Sequence, residues 1–212
     1  RIKTTPFHPR LVELNQTGPW GHWAGHLSAT RYDFSAKYEY FGIRNAAAYF
    51  DASPLFKYWI RGAEAERFLA GVIARDVRTV RPGRAQYTVW CDDEGYDLED
   101  GVLFRHSGDE FLLTAAEPNL SHLQARALGK RVEIVDVSEE YAVLALQGPR
   151  SRAILEPLAP EIAGLSYFGF TPAKVAGHAV TISRTGFTGD LGYELMIPAD
   201  DALAVLHAVI EA

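Results

Sequence analysis

The sequence predicts an α+β fold built from two related modules, each an antiparallel sheet with helices packed on one side. The chain has 212 residues, and 48% of them are hydrophobic, which suffices for one large domain or two small ones. Short runs of alternating apolar and polar residues predict strands, and runs with a period near 3.6 predict helices between them. The order strand, glycine, helix, strands, helix occurs twice, at "WIRGAEAERFL" and at "ALQGPRSRAIL". This repetition predicts paired modules.

The first half of the chain is predicted as an aromatic-rich start followed by one module. Residues 1–35 are rich in Pro, Gly, His and Trp, so we expect mostly irregular structure there, and residues 36–50 are predicted to form a helix. In the module that follows, alternation and aromatic content predict strands, and apolar residues on one face predict helices. The predicted strands are "LFKYWIRG", "AQYTVWC", "GVLFRH", "EFLLTA" and "RVEIVDV", and the predicted helices are "AEAERFLAGVIARD" and "EPNLSHLQARAL".

The second half repeats this order. Pro149 stands in the first turn of a predicted helix, where its missing N–H costs nothing. Two acids begin the last predicted helix, where they favour the positive end of the helix dipole. The predicted strands are "YAVLALQG", "HAVTISR" and "GYELMIP", and the predicted helices are "PRSRAILEPLA" and "ADDALAVLHAVIEA".

Composition argues against several classes of function. The formal net charge is −6 and there is no long basic run, so nucleic acid is a poor candidate partner. No apolar run approaches the roughly 20 residues that span a bilayer. The one cysteine, Cys91, excludes an internal disulfide framework and a cysteine metal cluster. A cytoplasmic location fits this cysteine content.

The most informative motif is "RTGFTGDLGYEL", Arg184–Leu195. It holds Gly186, Gly189 and Gly192 at even spacing and then places Glu194 inside an apolar strand pattern. Glycines permit the positive φ that hairpin loops need. One interpretation is therefore a β-hairpin with Glu194 facing solvent on an edge strand. A phosphate-binding loop fits less well, because the segment leads into a strand rather than a helix.

The strand period supports a second interpretation of this motif. Tyr193 and Leu195 share one face of the predicted strand, and Glu194 lies on the other. A carboxylate accepts two parallel N–H bonds well. Ligands that offer two adjacent donors include guanidinium groups and the amino-pyrimidine edge of a pterin, and Phe187 could stack on a flat ring. The motif would then form the wall of a pocket.

Two other polar clusters allow more than one interpretation. The acidic run "DDEGYDLED", residues 92–100, resembles a solvated turn, as most such runs are. His22 and His26 would have zinc-binding spacing on a helix. The neighbouring glycines and Trp23 argue against a helix there, so packing or a substrate contact is favoured and no metal site is expected.

Five segments in order resemble the T-protein of the glycine cleavage system, a family of tetrahydrofolate-dependent aminomethyltransferases. The resemblance covers residues 20 to 212, nearly the whole chain. The segments are "FDASPLFKYWIRG", "ARDVRTVRPGRAQYT", "ALQGPRSRAIL", "SYFGF" and "RTGFTGDLGYEL".

The resemblance implies three domains around a central folate pocket, of which this chain would supply two. Residues 1–53 and 138–212 would form a discontinuous folate-binding α+β domain, and residues 54–137 an inserted ferredoxin-like α+β domain. A C-terminal β-barrel would follow Ala212.

The family's folate-binding positions map onto residues of this sequence. Glu194 would hold the amino edge of the pterin, and Thr114 occupies a polar position at the inner end of a strand, with Asn119 shortly after it. Phe168 and Phe187 stand where tyrosines are common in the family, so stacking would survive without the hydroxyl contacts. The aromatic walls would be Tyr87, Tyr167, Phe168 and Phe187.

The family's reactive acid is an Asp in a G-G-x-x-D-D segment. Here the segment is "GYDLEDG", and Glu99 takes that place with Asp100 next to it. The resemblance implies that Glu99, with Asp100 in reserve, stabilises an iminium-like positive charge. Because neighbours in a strand point to opposite faces, we expect only one of the two to face a given pocket.

The function implied is transfer of a one-carbon unit from an amine or methylated donor to tetrahydrofolate. The expected partners are a small-molecule donor and a lipoyl carrier protein, without nucleic acid or membrane. Two alternatives stay open: a non-catalytic folate-binding protein of the iron–sulfur assembly type, and the folate module of a dimethylglycine or sarcosine flavin oxidase.

Overall fold

The computed structural model describes residues 2–212, and the chain divides into two compact units. Unit 1 comprises the chain up to Pro54 together with Glu139–Ala212, and unit 2 is Leu55–Ser138. Each unit contains one five-stranded sheet in which every pair of neighbouring strands is antiparallel. The predicted α+β class is therefore confirmed.

The helices and strands alternate along the chain as follows. The helices are α1 (His8–Leu14), α2 (Ala36–Asn45), α3 (Ala65–Ala70), α4 (Leu120–Ala127), α5 (Ser151–Leu155) and α6 (Ala202–Glu211). The strands are β1 (Trp20–Trp23), β2 (His26–Ala29), β3 (Ala48–Asp51), β4 (Phe56–Arg61), β5 (Arg84–Cys91), β6 (Asp97–Arg105), β7 (Glu110–Ala115), β8 (Glu133–Asp136), β9 (Tyr141–Gln147), β10 (Phe170–Val175), β11 (His178–Ser183) and β12 (Gly192–Pro198). Short 3-10 helices occupy Val77–Thr79, Pro160–Gly164 and Ala199–Asp201.

The sheet of unit 1 has the strand order β10-β11-β12-β9-β3. Residues one apart in β12 alternate between the core and the opposite face, and Tyr193 and Leu195 are buried as the strand period predicts. Helices α1, α5 and α6 contribute Leu11, Leu155 and Val205 to the same hydrophobic cluster. One face of this sheet is thus covered by helices.

The sheet of unit 2 has the order β5-β6-β7-β4-β8. Its core joins Tyr58 and Trp90 from the sheet to Phe68 of α3 and Leu123 of α4, and all four side chains are at most 1% exposed. A bilayer-crossing helix, which would have to be long and apolar, does not occur in the described residues 2–212.

The structure corrects the predictions for the first 50 residues. Most of residues 2–35 lie outside helices and strands, as predicted, but α1 and the β1–β2 hairpin within them were not predicted. The hairpin turns at Ala24 and Gly25, both with positive φ, which matches the right-handed twist of the flanking strands. The predicted helix over residues 36–50 ends at Asn45, because residues 48–51 pair with β9 instead. Sheet pairing here overrides the helix propensity of an alanine run.

Strand β10 was not predicted from the sequence. It contains Pro172, which has no N–H to donate and so weakens a strand pattern. The strand lies at the edge of its sheet, which is where proline is tolerated. Two predicted helices are also shorter than expected, because α3 ends at Ala70 and α5 at Leu155.

Candidate functional site

The glycine segment of unit 1, residues 184–192, is fastened to Gln147 at the end of β9. The Gln147 side chain is fully buried. Its Nε2 donates to the carbonyl oxygens of Thr185 and Tyr193, each at 3.1 Å, and its Oε1 accepts from Thr188 Oγ1 at 3.0 Å. The amide therefore uses both of its donor hydrogens on the backbone that enters and leaves the segment.

Two of the three glycines in the segment are required by this amide. A Cβ placed on Gly186 or on Gly192 would lie 2.0 Å from Gln147 Oε1, far inside van der Waals contact. Gly189 serves a different purpose, because it turns the chain with a φ of +74°. The even spacing seen in the sequence thus has two separate physical causes.

Glu194 lies on β12 on the face opposite the core and is partly buried. Its Oε2 accepts a short hydrogen bond from Thr185 Oγ1. Thr185 Oγ1 also lies 2.6 Å from Ser183 Oγ, and both of these residues are 3% exposed. Burial raises the pKa of Glu194 above its usual value, and the hydrogen bond from Thr185 opposes this shift. Glu194 is therefore not a solvent-facing residue on an edge strand, because β12 lies between β11 and β9 in the sheet and the side chain is partly buried. Its place in a pocket wall stays a prediction.

Three predicted aromatic residues also belong to unit 1. The rings of Tyr167 and Phe168 meet edge to face with centroids 4.7 Å apart. Phe168 has a φ of +59°, uncommon for a bulky side chain, and its N–H donates to Arg184 O at 3.0 Å. Phe187 is 76% exposed and touches Phe50 with ring centroids 5.6 Å apart. Tyr167 is also largely exposed.

A cavity of about 290 Å³ opens beside the glycine segment. Its lining comes from residues 184–186 and 189–192 and from Tyr167. Arg184 donates from Nη1 to Leu165 O at 3.3 Å, while its buried Nε has no hydrogen-bond partner within residues 2–212. The volume of the cavity is close to the lower end of the range for small-molecule sites.

The two candidate catalytic acids lie in unit 2 on β6, and the structure separates them. Glu99 is paired with Trp90 and Asp100 with Val89, so the two side chains point to opposite faces of the sheet, as expected. Glu99 accepts from the backbone N–H of Asp100 at 2.8 Å and of Glu117 at 2.7 Å. Its carboxylate therefore anchors the loop between β7 and α4.

Asp100 is exposed and accepts a hydrogen bond from the hydroxyl of Tyr87 on the neighbouring strand, at 2.5 Å. This hydrogen bond, helped by burial, raises the pKa of Tyr87. The carboxylate of Asp100 thus remains accessible, and Tyr87 holds it in place.

Thr114 and Asn119 are both tied to neighbouring groups of unit 2. The Thr114 hydroxyl accepts from Val102 N at 3.1 Å and donates to Val102 O at 3.3 Å. Asn119 accepts from Trp90 Nε1 at 3.0 Å, and its N–H donates to Tyr58 OH at 2.9 Å. Both residues brace the β6, β7 and α4 junction.

The histidines of the β1–β2 hairpin form no metal centre with the other described residues. His26 Nδ1 lies 3.0 Å from Ala24 O, within the turn itself. Across residues 2–212 there is no group of three or more His, Cys, Asp or Glu side chains that could hold a metal ion. Cys91 is partly exposed and lies 3.4 Å from Asp97 Oδ1.

Comparison with known proteins identifies the family. Residues 10–212 match the family model described as the GCVT N-terminal domain. The chain belongs to the GCVT N-terminal domain family. An aminomethyltransferase of Thermus thermophilus is 37% identical over 216 residues, and one of Geobacillus thermodenitrificans is 33% identical over 218 residues. Each alignment covers 100% of this GCVT domain, but only 61% and 58% of the two relatives, so the chain spans about three fifths of their length.

Solved structures share the fold of this GCVT domain. The glycine cleavage system aminomethyltransferase T of Bartonella henselae superposes with a TM-score of 0.86 at 23% identity, covering 99% of this chain and 57% of that one. A heterotetrameric sarcosine oxidase of Corynebacterium has a TM-score of 0.66 at 17% identity, covering 100% of this chain and 94% of that one.

Sequence reasoning missed the residues of this GCVT domain that hold the predicted ones in place. Gln147, Thr185 and Ser183 were not predicted as site residues. The sequence does carry a signal for Gln147, because a glutamine that ends an otherwise fully apolar strand must be satisfied by hydrogen bonds. The other two signals are the hydroxyls that flank Arg184 just before the glycines.

Proposed function

We propose that this GCVT domain takes part in the transfer of a one-carbon unit from an amine or methylated small molecule to tetrahydrofolate. The observation that carries the proposal is the partly buried Glu194 carboxylate, which Thr185 holds beside the glycine segment. A carboxylate so placed accepts two parallel N–H bonds, and the amino-pyrimidine edge of a pterin offers two adjacent donors. The name aminomethyltransferase borne by relatives at 33–37% identity supports the same reaction class.

The residues present fit a reduced folate. Thr185 occupies one site on Glu194 Oε2, so Oε1 and further lone pairs remain for a ligand. Tyr167 and Phe187 expose ring faces for stacking on a flat heterocycle, and Phe168 backs Tyr167. The cavity beside residues 184–192 is lined by Tyr167 and by Thr185, the residue that donates to Glu194.

Roles in the proposed reaction are assigned residue by residue. When bound, tetrahydrofolate supplies the nitrogen atoms that accept the one-carbon unit. Glu194 orients the pterin, and such fixed geometry can supply roughly 7–11 kcal/mol of a barrier. Asp100 and Tyr87 are assigned to the face of β6 where a positive charge would be stabilised.

Glu99 and Thr114 are assigned supporting roles. Glu99 already accepts two backbone N–H groups, so we place it as the anchor of the loop between β7 and α4, rather than as the reacting carboxylate. The Thr114 hydroxyl is engaged with Val102, so we assign it to the geometry of β6. The expected partners are a small-molecule donor and a lipoyl carrier protein.

Calorimetric titration of tetrahydrofolate into the full-length protein, without oxygen, tests the proposal. The wild type should bind, and Glu194→Gln should bind at least tenfold more weakly, a change of about 1.4 kcal/mol. Glu161→Gln is the matched control, because Glu161 is an exposed carboxylate of the same unit. Absence of binding in the wild type would overturn the proposal. Binding without turnover of any donor would favour a non-catalytic folate-binding protein.

A further inference from the structure

The side-chain amide of Gln147 lies in a space that two glycines and an alanine leave open. Its Oε1 and Nε2 occupy the volume that side chains of Gly186 and Gly192 would fill. Gln147 also stands directly opposite Gly192 in the pairing of β9 with β12, and opposite Ala48 in the pairing with β3. Small residues therefore face it from both neighbouring strands, and the amide replaces their missing side chains.

The amide reaches Glu194 through a single residue. Gln147 Nε2 binds the carbonyl oxygen of Thr185, and the hydroxyl of the same Thr185 donates to Glu194 Oε2. The second Nε2 hydrogen binds Tyr193 O, in the peptide unit that precedes Glu194. One side chain therefore holds both Thr185, which donates to the Glu194 carboxylate, and the part of β12 that carries Glu194.

We propose that Gln147 is a positioning residue, which sets the place of the glycine segment and, through Thr185, the orientation of the Glu194 carboxylate. This inference rests on the proposed function insofar as Glu194 binds a ligand. Gln147 itself is buried and is not assigned a contact with ligand.

Among side chains of this size only an amide meets all three hydrogen-bonding demands. Two carbonyl oxygens require donors, and the hydroxyl of Thr188 requires an acceptor. A glutamate of the same shape has no donor when ionised and a single O–H donor when protonated. A methionine fills the volume but removes both donated hydrogen bonds and the acceptor for Thr188, which is costly.

These differences define a test in which shape stays constant and hydrogen bonding changes. Gln147→Glu should disturb the segment less at low pH, where the protonated carboxyl can donate to one of the two carbonyl oxygens, than at high pH, where its charge faces both. The ratio of tetrahydrofolate dissociation constants, variant over wild type at the same pH, should exceed about tenfold at pH 8 and be at least about threefold smaller at pH 5.5. A ratio independent of pH would mean that neither the charge nor the proton of this side chain matters to the segment.

Hydrogen exchange gives a second measurement that needs no ligand. In Gln147→Met the amides of residues 185–194 should exchange at least tenfold faster than in the wild type, while those of α6 keep their protection. Gln86→Met is the matched control, because it replaces a buried glutamine of unit 2 by the same side chain and should leave residues 185–194 unchanged.

The outcomes separate this inference from the proposed function. If the wild type does not bind tetrahydrofolate, the proposed function fails, and the exchange comparison still decides the role of Gln147. Unchanged exchange in Gln147→Met, a pH-independent ratio in Gln147→Glu, or loss of protection throughout unit 1 would each overturn the positioning role. Should Gln147→Met not fold, the exchange of Gln147→Glu at pH 5.5 and pH 8 supplies the same comparison.

Discussion

The hydroxyl of Tyr87 lies 2.5 Å from Oδ2 of Asp100, across the pairing of β5 with β6. The carboxylate of the adjacent acid, Glu99, accepts hydrogen bonds from two backbone N–H groups. The two acids are neighbours in the sequence, and their side chains lie on opposite faces of the sheet. Accessibility therefore distinguishes them where chemical type does not.

Asp100→Asn should lower kcat for one-carbon transfer by at least a hundredfold, because it removes the accessible negative charge. Glu99→Gln should lower kcat less than tenfold, because the amide oxygen can still accept one of the two backbone N–H groups. Steady-state kinetics of both variants in the full-length protein provide the comparison. A larger loss in Glu99→Gln than in Asp100→Asn would move the charge-stabilising role to Glu99.

Tetrahydrofolate binding should weaken as the pH falls through the raised pKa of Glu194. Burial raises this pKa, so the carboxyl takes up a proton at a higher pH than an exposed glutamate does. The ionised form accepts two N–H bonds and the protonated form is the poorer acceptor, so acid removes the bound state. Calorimetry across pH 4.5 to 8 should show this fall in the wild type, and a much flatter profile in Glu194→Gln would assign it to this carboxyl.

Glu194→Gln should also make the protein more resistant to unfolding near neutral pH. A carboxyl whose folded pKa is raised favours the protonated form, so the stability it contributes is present below the unfolded pKa and is lost as the pH rises through the folded pKa. The neutral amide avoids that loss and still accepts from Thr185. Denaturant melts should show the variant above the wild type at pH 8, with the difference shrinking toward pH 4. A variant less stable than the wild type at pH 8 would contradict this account.

Gly192→Ala should reduce the free energy of unfolding by about 1–3 kcal/mol, the usual range for overpacking. The new Cβ would lie 2.0 Å from Gln147 Oε1, in a fully buried place from which the amide cannot swing out. Gly164→Ala is the control, because a Cβ at Gly164 would meet no described heavy atom within 4 Å. Urea denaturation gives the free energy of unfolding of both variants. Equal stability would mean that the Gln147 side chain can move away from the added methyl group at little cost.

Much of the fold was readable from the sequence because its sheets follow a clean strand period. Strand β12 buries Tyr193 and Leu195 and turns Glu194 to the other face, as the alternation predicts. The helix predicted over residues 36–50 ended early, because the pairing of Ala48–Asp51 with β9 links positions nearly 100 residues apart. Local propensity carries no information about such a partner.

The candidate site was only half readable. Glu194 and the aromatic residues stood out by chemical type, and so did the two acids of β6. What distinguishes Asp100 from Glu99, and what makes Gln147 necessary, is which backbone group each side chain meets. Those contacts depend on strand register and on loop geometry, and neither can be read from the order of the residues alone.

Because unit 1 is built from two separate segments of the chain, the two units can fold only in a certain order during synthesis. Strand β9 pairs with both β3 and β12, yet it lies beyond the whole of unit 2 in the chain. A ribosome releases the chain from its N-terminus, so β3 must wait for Leu55–Ser138 to emerge before its neighbour exists. Unit 2 needs no later residue to complete its own sheet. The inserted unit is therefore the first that can fold during synthesis, although it begins second.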